Sequence, residues 1–100
     1  MATDKNQKAV NETAKMLSAL GEPTRLKIVE TLRTKGSMTV TEISKALGID
    51  VVNTSHHLKL LDVAGLISKD KTGRIVNVTL NSDTYAKGTF DFGMVTVSLK

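Results

Sequence analysis

The sequence predicts a mainly α-helical fold with a small β component, and three observations carry that prediction. Two short helical patterns meet at Gly48, a hairpin pattern turns near Gly73, and the last dozen residues alternate in the manner of strands. The length sets the frame: 100 residues with 40% hydrophobic side chains form one small core, so residues 1–100 read as a single domain, too short for a catalytic and a separate regulatory unit. Tyr85, Phe90 and Phe92 all lie near the C-terminus, which leaves Leu, Ile, Val, Ala and Met to build the core before them. Small aliphatic cores of this kind often gain stability by dimerising.

Taken in order, Thr3 or Asp4 opens a first helix that runs to about Leu20, with Val10, Ala14, Leu17 and Leu20 along one side. Gly21 ends it. Pro23 suits the first turn of a second helix, where its missing amide proton costs nothing, and Leu26, Ile28, Val29 and Leu32 supply apolar surface before Gly36. Ser37 to Val40 is short and extended in character, the kind of piece that adds a strand to a neighbouring hairpin. Thr39 or Thr41 caps a third helix, and Thr39 with Glu42 matches a capping box.

Residues 41–64 then have the layout of a helix-turn-helix. Ile43, Ala46 and Leu47 recur at helical spacing, Gly48 permits a positive backbone dihedral, and Ile49 is positioned to plug the corner. Asp50 caps a further helix from Val51 to Ala64, with Leu58, Leu61 and Ala64 inward and Asn53, His56 and Lys59 on another face. That polar face suits base edges and phosphates in a major groove. Leu66–Asp70 and Arg74–Leu80 flank Lys71-Thr72-Gly73 as two strands and a turn, a hairpin spanning residues 66–80. Asn81-Ser82-Asp83 breaks the pattern. In the extension 84–100, Phe90 and Phe92 share one phase, and Val95, Val97 and Leu99 follow after Gly93-Met94, so it reads as a β tail.

The stretch SHHLKLLDVAGLI resembles the recognition helix and following turn of the ArsR/SmtB family of winged-helix transcriptional repressors. The resemblance extends upstream through ALGEPTRLKIVETL, where that family has a helix opening on proline, and downstream through LISKDKTGRIVNVTL, which looks like its wing hairpin. Roughly two-thirds of the chain is covered, in three linked segments in the right order. The implied fold is a winged helix-turn-helix of four to five helices with a β hairpin and, here, a C-terminal β tail. The implied function is sequence-specific binding of double-stranded DNA by a homodimer that represses transcription at a pseudo-palindromic operator. Many relatives end in a helix that pairs with the partner subunit's first helix. The β tail departs from that pattern and leaves open whether it replaces the dimerisation helix.

Candidate DNA contacts are Val51, Val52, Asn53, Ser55, His56 and Lys59 on the second helix of the motif, and Lys69, Lys71 and Arg74 on the wing. Resemblance aligns Ser55 and His56 with positions that meet DNA in the family. Asn53 suits adenine, His56 guanine or phosphate, Lys59 a phosphate, and Lys69, Lys71 and Arg74 the DNA backbone or a minor groove. Relatives carry short polar residues where this chain has Val51 and Val52, which either cover core or touch thymine methyl groups. Val10, Ala14 and Leu17 are the candidate dimer interface, with core packing as the other use of that stripe.

Composition narrows the remaining classes. Fourteen Lys and Arg against ten Asp and Glu give a net charge of +4, which favours a polyanionic partner. With no cysteine there is no disulfide, thiolate ligand or thiol switch, and TEISKAL stands where the family's cysteine metal motif would fall. His56 and His57 are the only histidines and, as helix neighbours, project about 100° apart, so no metal site or cofactor is expected. Nor is an enzyme: there is no phosphate loop, paired carboxylate or nucleophile-base arrangement. The absence of a long apolar run and the polar start point to the cytoplasm and away from membranes. The effector, if the regulator has one, is not legible. A reading from a different class is a winged-helix interaction module without sequence-specific DNA binding, for which Val51 and Val52 are the best evidence.

Overall fold

Helix formers dominate the first two-thirds of the chain and strand formers the last third. The structure, a computed structural model, describes residues 2–100, with side chains from residue 5 onward, and follows that division. Its elements are α1 (Ala2–Leu20), α2 (Pro23–Lys35), β1 (Met38–Thr39), α3 (Val40–Leu47), α4 (Val51–Val63), β2 (Ile67–Thr72), β3 (Ile75–Leu80), β4 (Tyr85–Ala86), β5 (Thr89–Asp91) and β6 (Thr96–Ser98). The strands form two antiparallel three-stranded sheets, ordered β1-β3-β2 and β4-β5-β6.

α1 is already helical at Ala2, so it does not open at Thr3 or Asp4, whose side chains lie outside the described residues. The stripe it buries also differs from the expected one: Thr13, Ala19 and Leu20 are buried, whereas Val10 is 37% and Leu17 40% exposed and Ala14 is exposed. Leu20 alone of the expected stripe is buried, and the buried Thr13 hydroxyl donates to the Phe92 carbonyl at 3.4 Å. A backbone carbonyl buried at that contact needs a donor, and apolar periodicity does not register one.

Glu22, rather than a short polar residue, caps α2, its carboxylate accepting from the amides of Thr24 at 2.8 Å and Arg25 at 3.2 Å, with Pro23 in the first turn. Ile28, Val29 and Leu32 are buried, but Leu26 is 43% exposed. At α3 the capping box is complete: Thr39 Oγ1 accepts from the Glu42 amide at 3.1 Å and Glu42 Oε1 from the Thr39 amide at 2.9 Å.

Gly48, at φ +68°, ends α3 in the left-handed conformation. At the corner Ile49 is half-buried beside Pro23, Thr24 and Leu47. Buried hydroxyls also join the two helices there: Ser44 Oγ donates to Thr54 Oγ1 at 2.9 Å, and Thr54 Oγ1 donates to the Asp50 carbonyl at 2.8 Å. Ala46 is exposed, not inward.

The wing pairs Lys69 with Val78, Lys71 with Val76 and Thr72 with Ile75. Its turn is therefore Gly73-Arg74, with Gly73 at φ +63°, and Lys71 and Thr72 belong to the strand rather than the turn. β1 adds to the other edge of β3, Met38 opposite Val78, as the extended character of residues 37–40 predicted.

The tail forms a sheet of its own. β4 and β5 turn at Lys87-Gly88, with φ values of +51° and +82°, and Phe90 and Phe92 are buried with ring centroids 5.7 Å apart. Val97 and Leu99 pack partly buried against the core, while Met94 is 51% and Val95 40% exposed. The hairpin escaped sequence reading because Lys87 is an unusual residue for a positive φ. One buried cluster joins α1, α2, α3, α4, the wing and this tail.

Candidate nucleic-acid interface

α4 is held at both ends and along one side, so its remaining face is fixed in direction. Asp50 Oδ1 accepts from the Asn53 amide at 2.6 Å, Thr54 is tied to Ser44, and Leu58 and Leu61 are 1% and 0% exposed. His57 is half-buried, its Nδ1 lying 3.3 Å from Arg25 Nη1 and 3.4 Å from Glu22 Oε2. Arg25 Nε donates to the Ala19 carbonyl at 2.7 Å, so one polar knot joins the end of α1, the start of α2 and the middle of α4. The Thr24 amide bond, reinforced by the Arg25 amide and by the proximity of His57 and Arg25 and partly opposed by burial, holds the Glu22 carboxyl below its ordinary pKa.

A step of about 100° per residue sets which side chains share a direction. With Thr54, Leu58 and Leu61 pointing inward, Val52, His56 and Lys59 lie opposite them, all exposed. Val51 and Ser55 turn toward the wing, and Asn53 lies on the other flank. His56 and His57 diverge, with ring planes tilted by 58°. Neither valine covers core: Val51 is 48% and Val52 81% exposed.

An open groove of about 470 Å³ separates α4 from the wing, bordered by Thr39, Thr41, Val51, Ser55, Arg74 and Ile75. Val51, Ser55 and Arg74 among the expected residues thus meet at one place. Lys71, opposite Val76, shares the face that Val76 turns to this groove. Neither Arg74 nor Lys71 makes an ion pair among the described residues, whereas Lys69 reaches back to Asp62 of α4 at 3.5 Å. Lys69 therefore splits its charge between the helix and any outside partner. Ile75, 56% exposed, was missed as a site residue. Phase predicts its exposure but not its place at the groove: Val76, Val78 and Leu80 take the inward positions of β3, so Ile75 lies on the other face and borders the groove beside the Gly73-Arg74 turn.

Among the described residues no three His, Cys, Asp or Glu side chains cluster as metal ligands, and no helix is long and apolar enough to cross a membrane.

This layout has relatives. Residues 22–69 match the sequence model of "Bacterial regulatory protein, arsR family". The chain is 35% identical over 75 residues to the HTH-type transcriptional regulator NmtR of Mycobacterium tuberculosis, covering 75% of this chain and 62% of that one. It is 34% identical over 67 residues to the transcriptional repressor SdpR of Bacillus subtilis, covering 67% of this chain and 73% of that one. The chain spans 60 to 62% of the length of the first curated relatives it matches. In structure it is similar to a homodimeric winged helix-turn-helix DNA-binding domain, Mb0332 of Mycobacterium bovis, with a TM-score of 0.75 and 24% identity over 80% of this chain and 73% of that one. Helix-turn-helix, wing and sequence agree: the chain belongs to the arsR family of bacterial regulatory proteins.

Proposed function

We propose that this chain is a sequence-specific DNA-binding transcriptional regulator, a repressor that occupies a pseudo-palindromic operator as a homodimer in the cytoplasm. The observation that carries the reading is the exposed face of α4 beside a wing whose Lys71 and Arg74 make no ion pair among the described residues. Val52, His56 and Lys59 point away from the core, Ser55 and Val51 border the groove, and Arg74 and Lys71 stand across it. A helix lying in the major groove would set the first turn of α4 against base edges, with Asn53, Ser55 and His56 as hydrogen-bonding side chains. Lys59, Lys71 and Arg74 would neutralise phosphates on either side, and Lys69 would contribute less because of Asp62.

The dimer is placed on α1. Val10, Ala14 and Leu17 form a stripe left uncovered by the chain's own core, and residues 5–12 of that helix have almost no buried side chain. An isolated helical stretch of this length is unstable in water without a surface to pack on. A second copy supplies one, and Met94 and Val95 of the tail add exposed apolar area to each subunit. Two α4 helices related by that axis would enter major grooves one or two helical turns apart. Occupancy of the operator then excludes polymerase. The chain performs no catalysis and holds no cofactor in this reading, and residues 1–100 act as one winged-helix domain.

Selection of bound duplexes from a random DNA pool, with the protein's mass in solution measured alongside, tests the reading. Enrichment of a two-fold-symmetric motif together with a dimer mass is expected. A pool that stays flat overturns DNA recognition, and a monomer mass at micromolar concentration overturns the dimer.

A further inference from the structure

Val52, Val51 and Ile75 put exposed apolar side chains where the proposed recognition surface would meet bases. Isolated surface valines are ordinary and need no explanation. These three are not isolated in their setting. Val52 occupies the centre of the outward face in the first turn of α4, at 81% exposure; Val51, 48% exposed, and Ile75, 56% exposed, border the same groove from its two sides. Lys59 is exposed on the same face of α4 as Val52, and Arg74 borders the groove beside Val51 and Ile75, so cations accompany the apolar side chains on both elements.

The chemistry of that centre limits which base it tolerates. A valine offers no donor or acceptor, so closing it over a guanine, cytosine or adenine edge strips water from polar atoms without replacing the lost hydrogen bonds. Thymine differs because its major-groove edge carries a C5-methyl group. Valine is suited to meet it: its side chain takes one strongly preferred rotamer in a helix, so its methyl groups are already oriented and little freedom is lost on contact.

We infer that Val52, at the centre of the exposed face in the first turn of α4, selects thymine in each operator half-site through the C5-methyl group. This rests on the DNA-binding reading above and adds a specificity-determining residue to it. The recognised chemistry is a 5-methylpyrimidine edge; thymine is the source, and 5-methylcytosine carries the same group on a different hydrogen-bonding base.

The test uses the full chain and the duplex enriched from the random pool, with thymines replaced one at a time by deoxyuridine, which removes only the methyl group. At one thymine per half-site the affinity falls about four-fold, the loss that accompanies uncovering one methyl group, and roughly fifteen-fold when both half-sites are changed. Val52→Ala binds the parent duplex more weakly and no longer distinguishes thymine from uracil there. Val63→Ala, at an equally exposed position near the far end of α4, distinguishes them as the parent protein does. A cytosine at that position binds weakly, and 5-methylcytosine recovers part of the loss.

Equal affinity for thymine and uracil at every position overturns the inference while leaving DNA binding intact. So does a methyl effect that persists undiminished in Val52→Ala. If no duplex is enriched at all, the DNA-binding reading fails and takes this one with it.

Discussion

The buried hydroxyl pair between α3 and α4 makes a quantitative prediction. Replacing Thr54 by Val keeps the side chain's shape and deletes the oxygen that accepts from Ser44 at 2.9 Å and donates to the Asp50 carbonyl at 2.8 Å. The carbonyl is not stranded, because it still accepts the Thr54 amide at 3.0 Å, so that loss is about 1 kcal/mol, one net hydrogen bond. Ser44 is 5% exposed and loses its acceptor, which adds roughly 1–2 kcal/mol for a desolvated hydroxyl. Thr54→Val should therefore cost about 2–3 kcal/mol in total. Ser44→Ala removes the donor and leaves Thr54 bonded to Asp50, costing about 1 kcal/mol. In the double variant no hydroxyl is stranded, so its cost should fall short of the sum by about 1–2 kcal/mol. Urea unfolding followed by circular dichroism measures all four proteins, at one protein concentration because dimer dissociation makes apparent stability concentration-dependent. The reasoning fails if Thr54→Val is no more destabilising than Ser44→Ala, or if the two changes add.

Further expectations concern charge, assembly and acid. Arg74→Ala and Lys59→Ala should each weaken binding across all duplex sequences and lower the salt-dependence slope by about one, whereas Lys69→Ala should change the slope less because Asp62 already holds it; equal slopes for the three would contradict the placement of Lys69. Leu17→Glu puts a charge into the exposed stripe of α1 and should shift the solution mass from dimer to monomer without loss of helical signal, while an unchanged mass would move the interface elsewhere. The carboxyl of Glu22 has its folded-state pKa below the ordinary 4.5, so its contribution is full above about pH 4.5 and disappears as pH falls through the lower folded value. The stability gap between the parent protein and Glu22→Gln should thus be present at neutral pH and shrink in acid; a gap independent of pH would argue against the cap.

Local chemistry made much of this molecule legible from its residues. Pro23, the Thr39-Glu42 capping box, Gly48 and Asp50 act through the backbone next to them, which is why the ends of α2, α3 and α4 could be located without tertiary information. Leu58 and Leu61 were readable as inward, and Asn53, His56 and Lys59 as outward, because a helix converts spacing into direction. The family resemblance rests on those same positions.

Tertiary structure decided what depends on partners distant in sequence. Thr13 faces inward and gives its hydroxyl to the Phe92 carbonyl, 79 residues away, a partner that local spacing cannot reveal. Ser44 and Thr54 join α3 to α4 in a way no spacing rule shows, since two hydroxyls satisfy each other only when the helices have already met. Arg25 and His57 are 32 positions apart and become a single polar knot through packing. The exposure of Val51 and Val52 was equally undecidable along the chain, because a β-branched apolar residue serves a core and a methyl-reading surface alike. Sequence determined where the helices begin, end and turn; folding determined which faces were left for a partner, because exposure is set by the neighbours that distant segments bring.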